Sequence, residues 1–226
     1  MDAPTPMASD ITIREEISKD IEFTFKNILA KNLNSIKIFE EDKAKTWSNN
    51  ILNEAKEYFS DKYPDYDLFL FNSIYPINIY FSSKQYSISV VKTDWCGVLS
   101  YSTDKIYSAL YYLFYKKYNL IYNIEDIESD IIQKGNEILE KHLDGKKYNY
   151  NKSLEDCNKI NEDYINYILS KNNKLRCYAI CSIYEKPIKD KYVFKYISHG
   201  KEICSKIFNT YINKKLICRH FLFFFK

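Results

Sequence analysis

The side chains best able to do chemistry in this sequence are six cysteines and three histidines. Cys96, Cys157, Cys177, Cys181, Cys204 and Cys218 form no Cys-x-x-Cys pair and no short disulfide-framework spacing, so they read as reduced, buried, small apolar residues. Cys177 and Cys181 stand four apart on a predicted strand, on one face but too far apart to bridge easily. His142, His199 and His220 belong to no HExxH or Cys/His ligand pattern, and no metal site is expected. His142 falls near a helix C-terminus, where the helix dipole favours a cation, which suits a structural role. Cys218 and His220, for instance, occupy alternate positions of a predicted strand and so share a face, an arrangement that could form a nucleophile pair. Gly97, Gly135, Gly145 and Gly200 stand alone, outside any phosphate-binding loop pattern, so no nucleotide or other cofactor is expected. The carboxylates are spread along the solvent faces of helices, with no pair placed for acid–base work. A non-catalytic binding protein is the expectation, with a small cysteine-dependent hydrolase or redox enzyme as the alternative from another class.

Charge and hydropathy narrow the partners. Thirty-three basic and thirty acidic residues give a net charge of +3, interspersed along the chain, whereas nucleic-acid binding would gather the basic residues on one face. Lys116-Lys117, Lys146-Lys147 and Lys214-Lys215 are isolated pairs at element ends and read as solvated surface. The apolar stretch Leu216 to Phe225 is interrupted by Arg219 and His220 and is too short for a bilayer-spanning helix. Met1 to Asp10 has acids and prolines in place of a basic start and an apolar core, which reads as a loose tail over 1–11 and not as a secretory signal. A soluble, cytoplasmic protein with no nucleic-acid or membrane partner is expected.

The elements that must position these residues follow from periodicity. Thr12 and Glu15 have capping-box spacing, and Ile17, Ile21, Phe25, Leu29 and Leu33 follow at helical intervals. A second helix is predicted from Glu41 to Ser60, with Trp47, Ile51, Ala55 and Tyr58/Phe59 on its apolar stripe. Four strands are predicted at Leu68 to Tyr75, through Tyr86, Ile88 and Val90, at Val98 to Tyr101 and at Ile106 to Tyr115. The short polar link Ser102 to Lys105 predicts an antiparallel hairpin.

After Lys116 the same order begins again. Ile17, Asp20, Ile21, Ile28, Leu29, Lys31 and Leu33 recur 110 residues later as Ile127, Asp130, Ile131, Ile138, Leu139, Lys141 and Leu143. Phe39, Lys43, Asn49, Ile51 and Lys62 correspond to Tyr148, Lys152, Asn158, Ile160 and Lys171, each 109 later. Ser73-Ile74-Tyr75 returns intact as Ser182-Ile183-Tyr184, and Tyr101 and Lys105 match Tyr211 and Lys215. Two tandem copies of one α+β unit are therefore predicted, over 12–116 and 124–226, joined by a linker at 117–123. The strand Tyr192 to Ile197 takes the place of the first copy's alternating strand.

Within the first copy, Phe39, Lys43 and Trp47 precede an apolar helix, a β-run and the closing hairpin of Tyr101 and Ile106-Tyr107. That order resembles the Tctex-type dynein light chain family, in which two helices pack on an antiparallel sheet and two subunits pair as an intertwined dimer. The second copy keeps Tyr148 and Lys152 but has Asp156 where the Trp would stand, so its helix packing must differ. The resemblance implies that one strand of each copy crosses into the other's sheet, here within one chain as a strand-exchanged pseudo-dimer, or between two chains as a homodimer. The segment from Tyr115 to Asn123 can span roughly 30 Å when extended.

It also implies a function. An edge strand with unpaired backbone groups can take up an extended peptide, its main chain supplying affinity and its side-chain pockets selectivity. The crossing strands would be Tyr86 to Val91 and Tyr192 to Ile197. Tyr86, Ser87, Ser89, Val91, Tyr192, Val193, Lys195 and Ile197 are the expected peptide-binding positions, and Ile88, Val90, Phe194 and Tyr196 the packing between copies; Tyr86 is expected to face the core together with Ile88 and Val90. The implied partners are a dynein intermediate chain, cargo peptides or other dynein light chains, in a cytoplasmic or axonemal motor. A peptide-binding adaptor of the same fold with no motor connection is the alternative.

Overall fold

The computed structural model describes residues 8–77, 84–90, 95–116, 125–172, 175, 177–185, 193–199 and 203–225. In chain order the elements are α1 (Ala8–Leu33), α2 (Glu41–Lys62), β1 (Tyr66–Pro76), β2 (Lys84–Val90), β3 (Trp95–Ser102), β4 (Ile106–Lys116), α3 (Glu125–Leu143), α4 (Tyr150–Lys171), β5 (Cys177–Glu185), β6 (Val193–His199), β7 (Ile203–Ile212) and β8 (Leu216–Phe225). The protein is thus of mixed helix and sheet, with two antiparallel sheets of order β3-β4-β1-β6 and β2-β5-β8-β7.

The expected helix and strand centres are present, and several ends differ. α1 begins at Ala8, so Thr12 lies inside the helix and is not its cap; the segment expected to be tail from residue 8 onward is helical. β1 and β3 each extend past their predicted cores, and in β3 the polar Ser102 still pairs with Tyr107 of β4.

The chain divides into two compact units. Unit 1 holds α1, α2, β1, β3, β4 and β6. Unit 2 holds α3, α4, β2, β5, β7 and β8. Each unit therefore contains one strand from the other half of the sequence.

In unit 1, Ile17, Ile21, Phe25, Leu29 and Leu33 of α1 and Ile51, Leu52, Ala55 and Phe59 of α2 bury one helical stripe each. They close on Leu68, Leu70 and Ile74 of β1 and on Ile106, Leu110, Tyr112 and Phe114 of β4. Burial of each large side chain contributes about 1.5–3 kcal/mol. The alternate residues of the same strands, Phe69, Phe71, Tyr75, Tyr107, Tyr111 and Tyr115, are buried too, so β1 and β4 read as continuous apolar runs. Unit 2 has the same plan, with Ile131, Leu139, Leu143, Ile160, Tyr164 and Ile168 closing on Cys177, Ala179, Cys181 and Ile183 of β5 and Cys218, Leu222 and Phe224 of β8.

Local contacts repeat at the sequence shift. Asp20 binds Lys62, and Asp130 binds Lys171. Lys31 binds Glu54, and Lys141 binds Asp163. Tyr101 donates to Asn34, and Tyr211 to Asp144. In the β3–β4 turn the Thr103 hydroxyl accepts from the amides of Lys105 and Ile106, and in the β7–β8 turn the Asn213 side chain accepts from those of Lys215 and Leu216. One end differs: Asn149 caps α4 by accepting from the Lys152 amide at 3.1 Å, whereas Glu40 makes no side-chain cap on α2. Gly145, with φ 66°, ends α3 in the left-handed region that glycine tolerates.

Candidate functional site

β2 and β6 are edge strands. β6 pairs with β1 over Leu68↔His199 to Ile74↔Val193, and β2 pairs with β5 over Lys84↔Tyr184 to Val90↔Tyr178. Each is the last strand of its sheet, with one neighbour among the described residues. α2 lies against β6 in unit 1, and α4 against β2 in unit 2. A strand in this position offers every second backbone N–H and C=O along its outer side to a guest.

The register locates the predicted positions. Ser87 stands opposite Cys181 and Ser89 opposite Ala179, residues of the helix–sheet core, while Tyr86, Ile88 and Val90 stand opposite Ser182, Ile180 and Tyr178. In β6, Val193, Lys195 and Ile197 stand opposite Ile74, Asn72 and Leu70, and Phe194 and Tyr196 opposite Ser73 and Phe71. Matched by partner, the two strands are offset by 108 residues: Tyr86 with Phe194, Ser87 with Lys195, Ile88 with Tyr196. The positions of Ser87 and Ser89, expected beside a guest, thus share the register of the helix-side core residues Cys181 and Ala179, and the positions of Tyr86, Ile88 and Val90, expected at the core, share that of Ser182, Ile180 and Tyr178. The Tyr196 ring lies 6.5 Å from that of Phe69, on that opposite face. Val91 and Tyr192 lie outside the described residues.

The thiols and imidazoles fall elsewhere. In unit 2, Cys181 and Cys218 bring their sulfurs to 3.6 Å, and Cys157 and Cys177 are buried in the same core. Burial pushes the Cys177 thiol up to about 12 and raises those of Cys181 and Cys218. His220 is buried; its Nε2 is 2.8 Å from Asn161 Oδ1, its ring stacks on Tyr164 at 3.8 Å, and burial alone lowers its pKa to about 3. A raised thiol beside a neutral, depressed imidazole is the reverse of what activates a cysteine nucleophile. His142 sits in the last turn of α3, with Nε2 2.8 Å from Asp163.

Two carboxylates depart from the expected solvent faces. Asp67 is buried at the start of β1, and Asp156 is buried and 2.6 Å from Lys146, so this lysine is an ion-pair partner as well as a surface residue. Sequence reasoning also missed the cluster at Asp20, which accepts from the hydroxyls of Tyr58 at 2.5 Å and Tyr63 at 2.6 Å and from Lys62 at 2.7 Å. Burial pushes the Asp20 carboxyl up, and the hydrogen bonds of Lys62, Tyr58 and Tyr63 more than offset this, so its pKa lies below the ordinary value. The recurrence of Asp20 and Lys62 as Asp130 and Lys171 was the available signal.

No protein-family model matches the chain, and no curated protein matches it in sequence. Among the described residues, no helix is long and apolar enough to cross a membrane, and no group of three or more His, Cys, Asp or Glu side chains is arranged to hold a metal ion.

Proposed function

We propose that this chain is a non-catalytic light chain of Tctex type, a tandem duplication whose two copies trade one strand each and bind extended segments of a dynein intermediate chain or cargo by β-augmentation. The observation that carries this reading is the place of β2 and β6: each ends a sheet built by the other half of the sequence and has one described strand neighbour. The recurrence of ion pairs and turns at shifts of 109 and 110 supports the duplication. Covalent linkage of the copies would raise their effective concentration to the order of millimolar for a short linker. Dynein intermediate chain, cargo peptides and other dynein light chains are the proposed partners, in the cytoplasmic or axonemal cytoskeleton.

Affinity purification of the tagged chain tests the motor connection: recovery of dynein heavy and intermediate chains supports it, and their absence with other extended-peptide ligands present favours a motor-independent adaptor. Solution mass tests the pairing, with 27.0 kDa for the internally completed form and twice that for exchange between chains. Titration with an extended peptide that protects neither β2 nor β6 amides from hydrogen exchange would remove β-augmentation from the account.

A further inference from the structure

His220 occupies an unusual place in unit 2. It lies on β8 opposite Cys181 of β5, which lies opposite Ser87 of β2, so one row of the sheet runs from the imidazole to the edge strand. Its Nε2 is tied to Asn161 on α4, the helix that lies against β2, and Tyr164 of the same helix stacks on its ring. Its Nδ1 is buried with no hydrogen-bond partner among the described residues.

The titratable groups of the surrounding core are Tyr164 and Cys157 from α4, Cys181 from β5 and Cys218 from its own strand. From β7 the opposite residue is Asn209, and from α3 Gly135 adjoins Tyr164 and Asn209. Burial raises Tyr164, Cys181 and Cys218, which keeps them from becoming anions that could receive an imidazolium. Asp156 of α4 is held by Lys146, and Asp163 faces Lys141 and His142.

We infer that His220 is a proton-operated latch: protonation drives the ring out of its place between Tyr164 and Asn161, loosening α4, β8 and the edge strand β2 while unit 1 stays closed. On the reading of β2 as a docking edge, a guest there is shed with it. Unit 1 has no counterpart, because Leu52 and Leu110, both buried, stand at the positions matching Asn161 and His220.

The sign follows from linkage. A histidine whose folded pKa is below its unfolded one binds its proton preferentially when released, so the closed state weakens as pH falls below about 6.5 and continues to weaken toward the folded value. Between pH 7 and pH 5 the equilibrium for opening should rise about 25-fold. Carboxylates held below their usual range, including Asp20 and Asp163, stay ionised over this window.

Hydrogen exchange of the full chain at pH 7 and pH 5, corrected for intrinsic rates and without any guest, tests the latch apart from the docking reading. The expected result is a loss of protection near 25-fold in α4, β8 and β2 with little change in α2 and β4. The double variant Asn161→Leu/His220→Leu should lose the response and His142→Asn should keep it. An equal response in both units, or one surviving in the double variant, overturns the proposal. Should the double variant fail to fold, the imidazole proton resonances of the native chain decide: His220 titrating reversibly with a midpoint near 6.5, with exchange unchanged, also overturns it.

Discussion

At four matched core positions unit 1 carries Phe25, Ala55, Gly97 and Tyr112, and unit 2 carries Gly135, Tyr164, Ile207 and Leu222. The differences compensate in volume. A Cβ added at Gly97 would collide with the Tyr112 ring, and one added at Gly135 would collide with Tyr164. Each unit thus gives a tyrosine room beside a glycine, in one case from the sheet and in the other from a helix. Where unit 1 has the apolar pair Leu52 and Leu110, unit 2 has the hydrogen-bonded pair Asn161 and His220. Where unit 1 has Ser48, Asn72 and Ser108, unit 2 has Cys157, Cys181 and Cys218, and the Ser108–Asn72 contact at 3.4 Å is matched by the two sulfurs at 3.6 Å. At the rim, Ile36 and Trp47 pack on the first core, while Lys146 and Asp156 form an ion pair at the matching places. The lesson is that a fixed arrangement of elements accepts paired changes that keep volume and hydrogen bonding closed, and not single ones.

Breaking one partner should therefore have the largest effect. Gly135→Phe imports Phe25 without Ala55, and urea unfolding should show a loss of about 3 kcal/mol or more from overpacking. Adding Tyr164→Ala should recover most of it; no recovery would mean that the two cores are not built on the same plan.

Next in size is the Asn161–His220 pair. Asn161→Leu alone strands the imbalance on a buried imidazole and should cost about 1–3 kcal/mol at pH 7. With His220→Leu as well, the loss should shrink, and a double-mutant cycle measures the coupling. Because His220 is depressed to about 3, stability falls from pH 6.5 downward, by roughly 2–3 kcal/mol at pH 4.5. The double variant should flatten that slope.

Smaller still is the paired carboxylate. Asp20 receives three donors and its side chain is 28% exposed; Asp130 is 53% exposed and binds Lys171 at 3.0 Å. Asp20→Asn should cost about 1 kcal/mol more than Asp130→Asn by chemical denaturation. The Asp20 contribution is present above pH 3.8 and is lost as pH falls through the lowered folded value, well separated from the histidine window.

The smallest perturbation reads the thiols. With the chain folded, a maleimide should modify Cys96, which is exposed, and leave Cys157, Cys177, Cys181 and Cys218 untouched until denaturant is added. Modification of Cys181 or Cys218 under native conditions would show that the second core opens more readily than its packing implies.

Local pattern carried much of this into the sequence. Ile17, Ile21, Phe25, Leu29 and Leu33 mark a helix because 3.6-residue spacing puts them on one stripe whatever they pack against, and the recurrence is visible because residues such as Asp20, Lys31 and Lys62 return as Asp130, Lys141 and Lys171. The cap at Thr12 was misplaced, since apolar spacing does not say where a helix stops gaining residues at its N-terminus. The sequence by itself determined the order of elements, the apolar stripes and the residue identities that recur at shifts of 109 and 110. Periodicity left open which sheet β2 and β6 join, an expectation that came from the family resemblance alone and that the sheet order displays, because an alternating strand specifies which residues share a face but not the partner whose backbone completes its ladder. The same holds for His220: its place two residues from Cys218 suggested a partner on its own strand, and the structure gives it Asn161 and Tyr164, from a helix some sixty residues away.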